Sequence, residues 1–141
     1  LKDAFYHNKE VMIEEFIEGR ELTCAVYISN QEIKTLPITE IISENEIFDF
    51  DAKYNGKSTE ETPAKLSQYL KNKIQNTSKN IYKDLHLSGI IRIDYILQND
   101  ILYIIEINTI PGFSKKSIVP QMLECANINL SSFISSQLEN I

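Results

Sequence analysis

Gly89-Ile-Ile-Arg-Ile-Asp-Tyr-Ile-Leu97 and Ile101-Leu-Tyr-Ile-Ile-Glu-Ile-Asn-Thr-Ile-Pro-Gly112 are apolar runs interrupted by Arg92, Asp94, Glu106 and Asn108. β-Branched and aromatic residues dominate both runs, and Gln98-Asn-Asp100 between them is turn-forming, so the pair predicts a β-hairpin. Side chains two apart share a strand face. Arg92 therefore goes with Asp94, and Glu106 with Asn108. Closure on Asn99 sets Arg92 opposite Glu106 and Ile90 opposite Asn108, with all four polar groups on one side of one sheet. A buried face tolerates them only if the charges pair or hold a ligand.

The same pattern divides the rest of the chain. Leu1 to Lys9 reads as the tail of a helix. Val11 to Ile17 reads as a short extended run with an acidic pair inside it, and Gly19-Arg-Glu21 as a turn. Leu22 to Ile28 and Glu32 to Ile42 predict two further strands joined at Ser29-Asn-Gln31, and Pro37 marks an edge or a bulge. Residues 43–62 are polar but hold Phe48, Phe50 and Tyr54, which argues for a mobile functional loop over plain disorder. Thr62-Pro63 predicts a helix start, with apolar positions at helical spacing to about His86. Ser117 to Ala126 and Leu130 to Leu138 predict two more helices. Strands in hairpins followed by helices give an α+β class, a largely antiparallel sheet with helices packed on it, in one domain over residues 1–141.

Composition narrows the function classes. At 141 residues and 43% hydrophobic content, the chain can bury a core. A net charge of −6 disfavours a nucleic-acid partner. No apolar run approaches the roughly 20 residues of a membrane helix. Cys24 and Cys125 lie far apart and read as free thiols in a reducing cytoplasm. The first residue is Leu1, so a piece of a longer protein is expected.

Asp94, Glu106 and Asn108 all offer oxygen ligands, which suit a hard cation such as Mg²⁺; without His or Cys beside them, zinc is disfavoured. Simple pairing of the carboxylates with Arg92 or with solvent explains the same spacing equally well. Pro111-Gly112 reads as a type II turn that exposes N–H groups beside the acids. Ser117 can cap its helix or offer a hydroxyl to an anion. Glu14, Glu15, Glu21 and Lys53 have surface placement as their default, as do His7 and His86.

Arg92-Ile-Asp94, Glu106-Ile-Asn-Thr-Ile-Pro-Gly-Phe-Ser114 and Ser117-Ile-Val-Pro120 closely resemble the C-terminal signature of D-alanine–D-alanine ligases, ATP-grasp enzymes of peptidoglycan precursor synthesis. Ile13 to Glu21 resembles the family's nucleotide-binding strand and turn, and Phe48 to Tyr54 its mobile loop, so the resemblance runs from about Val11 to the end. It implies the C-terminal ATP-grasp fold and a cytoplasmic bacterial enzyme with ATP and D-alanine as substrates. By resemblance, Asp94, Glu106 and Asn108 would bind two Mg²⁺ ions, or Mn²⁺, with Glu106 bridging. Glu14 and the backbone at Phe16 and Ile17 would hold adenine, and Glu21 the ribose. Arg92 and the Gly112 N–H would form the oxyanion site. Lys53, Ser117 and Ile118 would bind the second D-alanine, and Tyr54 would help close the loop. Glu15 departs from the family pattern and takes no role. The resemblance also implies N-terminal and central domains outside these residues, through which a homodimer could form, and little activity for the 141 residues alone. Rival readings are a D-alanine–D-lactate or D-alanine–D-serine ligase, another ATP-grasp carboxylate–amine ligase, or a module that binds nucleotide or metal without turnover.

Overall fold

The computed structural model describes residues 2–43 and 58–139. The elements are α1 (Lys2–His7), β1 (Arg20–Ser29), β2 (Glu32–Thr35), β3 (Thr39–Ser43), β4 (Ser58–Glu61), α2 (Gln68–Asp84), β5 (Ile91–Gln98), β6 (Ile101–Asn108), α3 (Ile118–Cys125) and α4 (Leu130–Leu138). One sheet runs β4-β3-β1-β5-β6, with β2 also paired to β1. Every pairing among the described residues is antiparallel, and β1–β2 and β5–β6 are direct hairpins.

Both predicted hairpins form on two-residue turns. Asn30 and Gln31 have φ of 54° and 63°, and Asn99 and Asp100 have 48° and 62°. Left-handed backbone at both central positions matches the right-handed twist of the flanking strands, and Asn and Asp tolerate it. Pro37 does interrupt its run: the predicted single strand is two, β2 and β3, with the proline between them. A proline N cannot donate to the ladder. The Leu36 N–H still reaches the Ala25 carbonyl at 3.0 Å, so the chain stays on β1 through the break.

β1 alternates its side chains between two cores. Leu22, Cys24 and Val26 face α2 and pack with Ile74, Tyr82, Ile91, Ile93, Tyr95 and Leu97. Ala25 and Tyr27 face the other way, with Leu36, Ile41, and Ile118, Val119, Met122, Leu123 and Phe133 of α3 and α4. α2 turns Ile74, Ser78 and Tyr82 inward at four-residue spacing. Ser78 Oγ lies 2.8 Å from both the Ile74 carbonyl oxygen and the Tyr95 hydroxyl, so these buried polar groups are satisfied. Both cysteines are free; Cys24 is buried, and burial pushes its thiol up to about 12. Gly19 leads into β1 where a Cβ would stand 2.5 Å from the Leu97 carbonyl oxygen, an approach only glycine permits.

Four local expectations change. Residues 11–18 form no strand, and Met12, Ile13 and Phe16 are exposed; an apolar run becomes a strand only with a partner ladder and a surface to pack on, and it has neither here. Gly19-Arg-Glu21 is not a separate turn, because Arg20 and Glu21 already belong to β1. The end of the predicted loop is the edge strand β4, which takes its ladder from β3 despite its charged sequence; residues 44–57 of that loop lie outside the described residues. Thr62-Pro63 does not open α2. Its peptide bond is cis, the Thr62 hydroxyl bonds Thr39, and Ser67 caps the helix by accepting from the Leu70 N–H at 3.3 Å. The chain carries two capping signals, and the later one is used. No described helix is long and apolar enough to cross a membrane.

Candidate active site

α3 and α4 cover only part of their sheet face. The remainder opens into a cavity of about 650 Å³. Its floor is built by register. Thr23 on β1 lies opposite Asp94 on β5, Asp94 opposite Glu106 on β6, and Arg92 opposite Asn108. The sequence-based pairing of Arg92 with Glu106 and of Ile90 with Asn108 is therefore wrong by two residues. The turn is tighter than symmetric closure on Asn99 requires, and a bulge between Asp94 and Tyr95 in the ladder leaves Ile105 as the extra residue. A two-residue turn alone would set Asp94 opposite Ile105 and send Glu106 and Asn108 to the α2 face. The bulge restores their phase, so it is the device that puts both acids on one side.

Asp94 is only 5% exposed. Arg92 grips it from two residues away: Nε donates to Oδ1 at 2.9 Å and Nη2 to Oδ2 at 2.7 Å. The Thr23 hydroxyl also donates to Oδ1. Burial works against the Arg92 charge, but the hydrogen-bonded Asp94 and the fields of Glu106 and Glu60 outweigh it and raise its pKa above the ordinary guanidinium value. On β6, Asn108 Nδ2 donates to Glu106 Oε1 at 2.9 Å. Arg92 thus folds onto Asp94 and not onto Glu106, because a side chain two residues along the same strand is nearer than the cross-strand diagonal.

The rim comes from the loop between β6 and α3. Gly112, Ser114, Lys116, Ser117 and Ile118 line the cavity with Glu21 and Glu60. Pro111-Gly112 is not a type II turn: Gly89 is the one glycine with positive φ among the described residues. Glycine at 112 meets a spatial need, since a Cβ there would lie 2.8 Å from Ser117 Oγ. Ser117 occupies the N-cap position of α3, yet its hydroxyl makes no cap bond and lies 2.8 Å from Ser114 Oγ. That leaves it at the cavity mouth.

The predicted residues therefore divide. Arg92, Asp94, Glu106, Asn108, Gly112, Ser117, Ile118 and Glu21 come together around one cavity. Glu14 and Phe16 are exposed and Ile17 half-buried, none of them lining it. Lys53 and Tyr54 lie outside the described residues. Thr23, Glu60 and Lys116 escaped the sequence reading. Thr23 was detectable as the one aliphatic hydroxyl inside the apolar run of residues 22–28 in β1, whereas Glu60 reads only as one acid among several.

A hard cation was the expected occupant. Among the described residues, no three His, Cys, Asp or Glu side chains converge as a metal cluster. Asp94 and Glu106 face each other across two strands, and the Asn108 amide completes an all-oxygen donor set of the kind Mg²⁺ accepts. A carboxylate has about four lone-pair directions. Arg92 and Thr23 engage three at Asp94, so it can still contribute one oxygen contact without being released. The donor chemistry fits the ion.

The chain matches the family model described as D-ala D-ala ligase C-terminus over residues 1–139. It is 43% identical over 143 aligned residues to the D-alanine–D-alanine ligase of Azobacteroides pseudotrichonymphae, covering 100% of this chain and 44% of that protein. The crystal structure of the Bacillus anthracis D-alanine–D-alanine ligase complexed with ATP superposes with a TM-score of 0.73 at 33% identity, covering 90% of this chain and 41% of that one. The VanG D-Ala:D-Ser ligase of Enterococcus faecalis superposes at 0.72 and 29% identity, covering 89% and 37%. The chain thus spans less than half the length of the relatives it matches. With that family model covering nearly every residue and the site motifs gathered on one sheet face, the chain belongs to the D-alanine–D-alanine ligase C-terminal family, of ATP-grasp fold.

Proposed function

We propose that these residues form the C-terminal part of an ATP-dependent ligase that joins two D-alanines, the dipeptide of peptidoglycan precursors, in the cytoplasm. The observation that carries this is the facing pair Asp94 and Glu106, with Asn108 beside them and Arg92 at their edge, at the floor of an open cavity. Asp94, Glu106 and Asn108 would hold Mg²⁺, which neutralises triphosphate charge when bound. Arg92 presents a permanently charged fork where the carboxylate of the first D-alanine would be phosphorylated. The Gly112 N–H lies at the same rim. The second D-alanine would place its carboxylate at Ser117 and Ile118, with Lys53, so that its amine attacks the acyl phosphate and expels phosphate. Glu21 would take the ribose hydroxyls, while Glu14, Phe16 and Ile17 would meet adenine only once the other domains are in place. For that reason the 141 residues alone are expected to turn over no substrate.

In the full-length enzyme, Mg²⁺-ATP and D-alanine should yield ADP, phosphate and D-alanyl-D-alanine in equal amounts. The likeness to a D-Ala:D-Ser ligase makes D-serine and D-lactate the competitors to include. Preferential incorporation of either would shift the assignment to that ligase. ATP hydrolysis with no dipeptide or depsipeptide would refute it.

A further inference from the structure

Glu60 belongs to β4, at the edge of the sheet, and its side chain lines the cavity. It lies opposite Ile41 on β3, which faces α3 and α4. From there its Oε2 accepts a hydrogen bond from Gln121 Nε2, across 61 residues of sequence, in a half-buried contact. Gln121 sits four residues after Ser117, one turn further along α3 and on the same helix face. The base of α3 is otherwise held by its apolar side, through Ile118, Val119, Met122 and Leu123. Apolar packing is non-directional and fixes the buried face of α3 only to within the width of its apolar stripe. A directed hydrogen bond on the cavity side supplies the missing rotational constraint. Glu60 is also one of the acids whose field acts on Arg92. One carboxylate therefore bonds α3 at Gln121 and acts on Arg92 through its charge.

We propose that the Glu60–Gln121 bridge is a positioning device. It fixes the rotation of α3, and with it the distance from the Ser117 hydroxyl to Arg92 and Gly112, and so tunes affinity for the amino acid that supplies the attacking amine. Neither residue touches the reacting atoms. The proposal rests on the ligase reading above, in which Ser117 meets the second substrate carboxylate.

The test uses the full-length enzyme with variants Gln121→Leu, Gln121→Asn and Glu60→Gln. Leucine cannot donate the bond, asparagine falls one methylene short, and the amide oxygen that Glu60→Gln introduces can still accept it. Loss of one such bond should raise the KM for the second D-alanine about three- to tenfold in both Gln121 variants. kcat and the KM for ATP should stay within about twofold in both Gln121 variants, and Glu60→Gln, which keeps an acceptor but loses the charge, should raise the second-substrate KM less than Gln121→Leu does. A second-substrate KM within twofold in the Gln121 variants would overturn the proposal. Parallel loss of kcat and ATP affinity would overturn it too, because it would mark general loosening of α3. If Gln121→Leu does not fold, Gln121→Asn carries the same comparison. A parent enzyme that makes no dipeptide would instead defeat the ligase reading itself, an outcome separable from a normal parent with unresponsive variants.

Discussion

Glu106→Gln in the full-length enzyme is expected to lower dipeptide synthesis roughly a hundredfold or more. The substitution keeps the shape of the side chain and its acceptor for the Asn108 Nδ2 bond. What it removes is one negative charge at the point where β6 faces Asp94. With Asp94 already engaged by Arg92 and Thr23, Glu106 is the carboxylate with more freedom to serve a cation. Because Glu106 is exposed, stability should barely change, so a fall in kcat would not reflect unfolding. Steady-state phosphate release alongside a thermal melt reads both quantities. Near-parent kcat with an unchanged melt would remove Glu106 from the proposed metal site.

Arg92→Leu is expected to destabilise the ligand-free protein by about 3 kcal/mol, besides abolishing synthesis. Asp94 is almost fully enclosed, and Arg92 satisfies both its oxygens. Without the guanidinium, Thr23 alone would face a buried carboxylate, and breaking such a pair costs far more than the intact pair contributes. The double variant Arg92→Leu/Asp94→Leu should recover most of the lost stability, because two apolar side chains replace two charges on a face that already packs against Ala25 and Ile118. It should recover no activity. Urea unfolding of the two single variants and the double gives the coupling directly. Additive losses would show that the pair does not hold this part of the sheet together.

The sequence pattern was enough to put Arg92, Asp94, Glu106 and Asn108 on one face, but not to name their partners. Symmetric closure on Asn99 and the observed two-residue turn plus bulge differ by two residues, so parity, and hence the face, is the same in both. Side-chain alternation encodes the face, while a bulge leaves almost no local trace: Ile104 and Ile105 look alike in the run, and both are half exposed. The α3 and α4 boundaries were readable because Ser117, Asn127 and Asn129 are strong local punctuation, and Asn129 does cap α4 through Ser132. The run from Val11 to Ile17 failed as a strand because pairing is a tertiary property. Glu60 was invisible for a related reason: its importance comes from Gln121, 61 residues away. Resemblance, and not spacing, tipped the carboxylates from simple ion pairing toward cation binding. The structure adds that Asp94 pairs with Arg92 and still faces Glu106.

The most direct measurement is the anomalous signal of Mn²⁺ in crystals of the full-length enzyme grown with a non-hydrolysable ATP analogue. The account predicts manganese peaks within about 2.5 Å of oxygens from Asp94, Glu106 and Asn108, between those side chains and the phosphates. Manganese held elsewhere, with Glu106 and Asn108 still bonded only to each other, would contradict it.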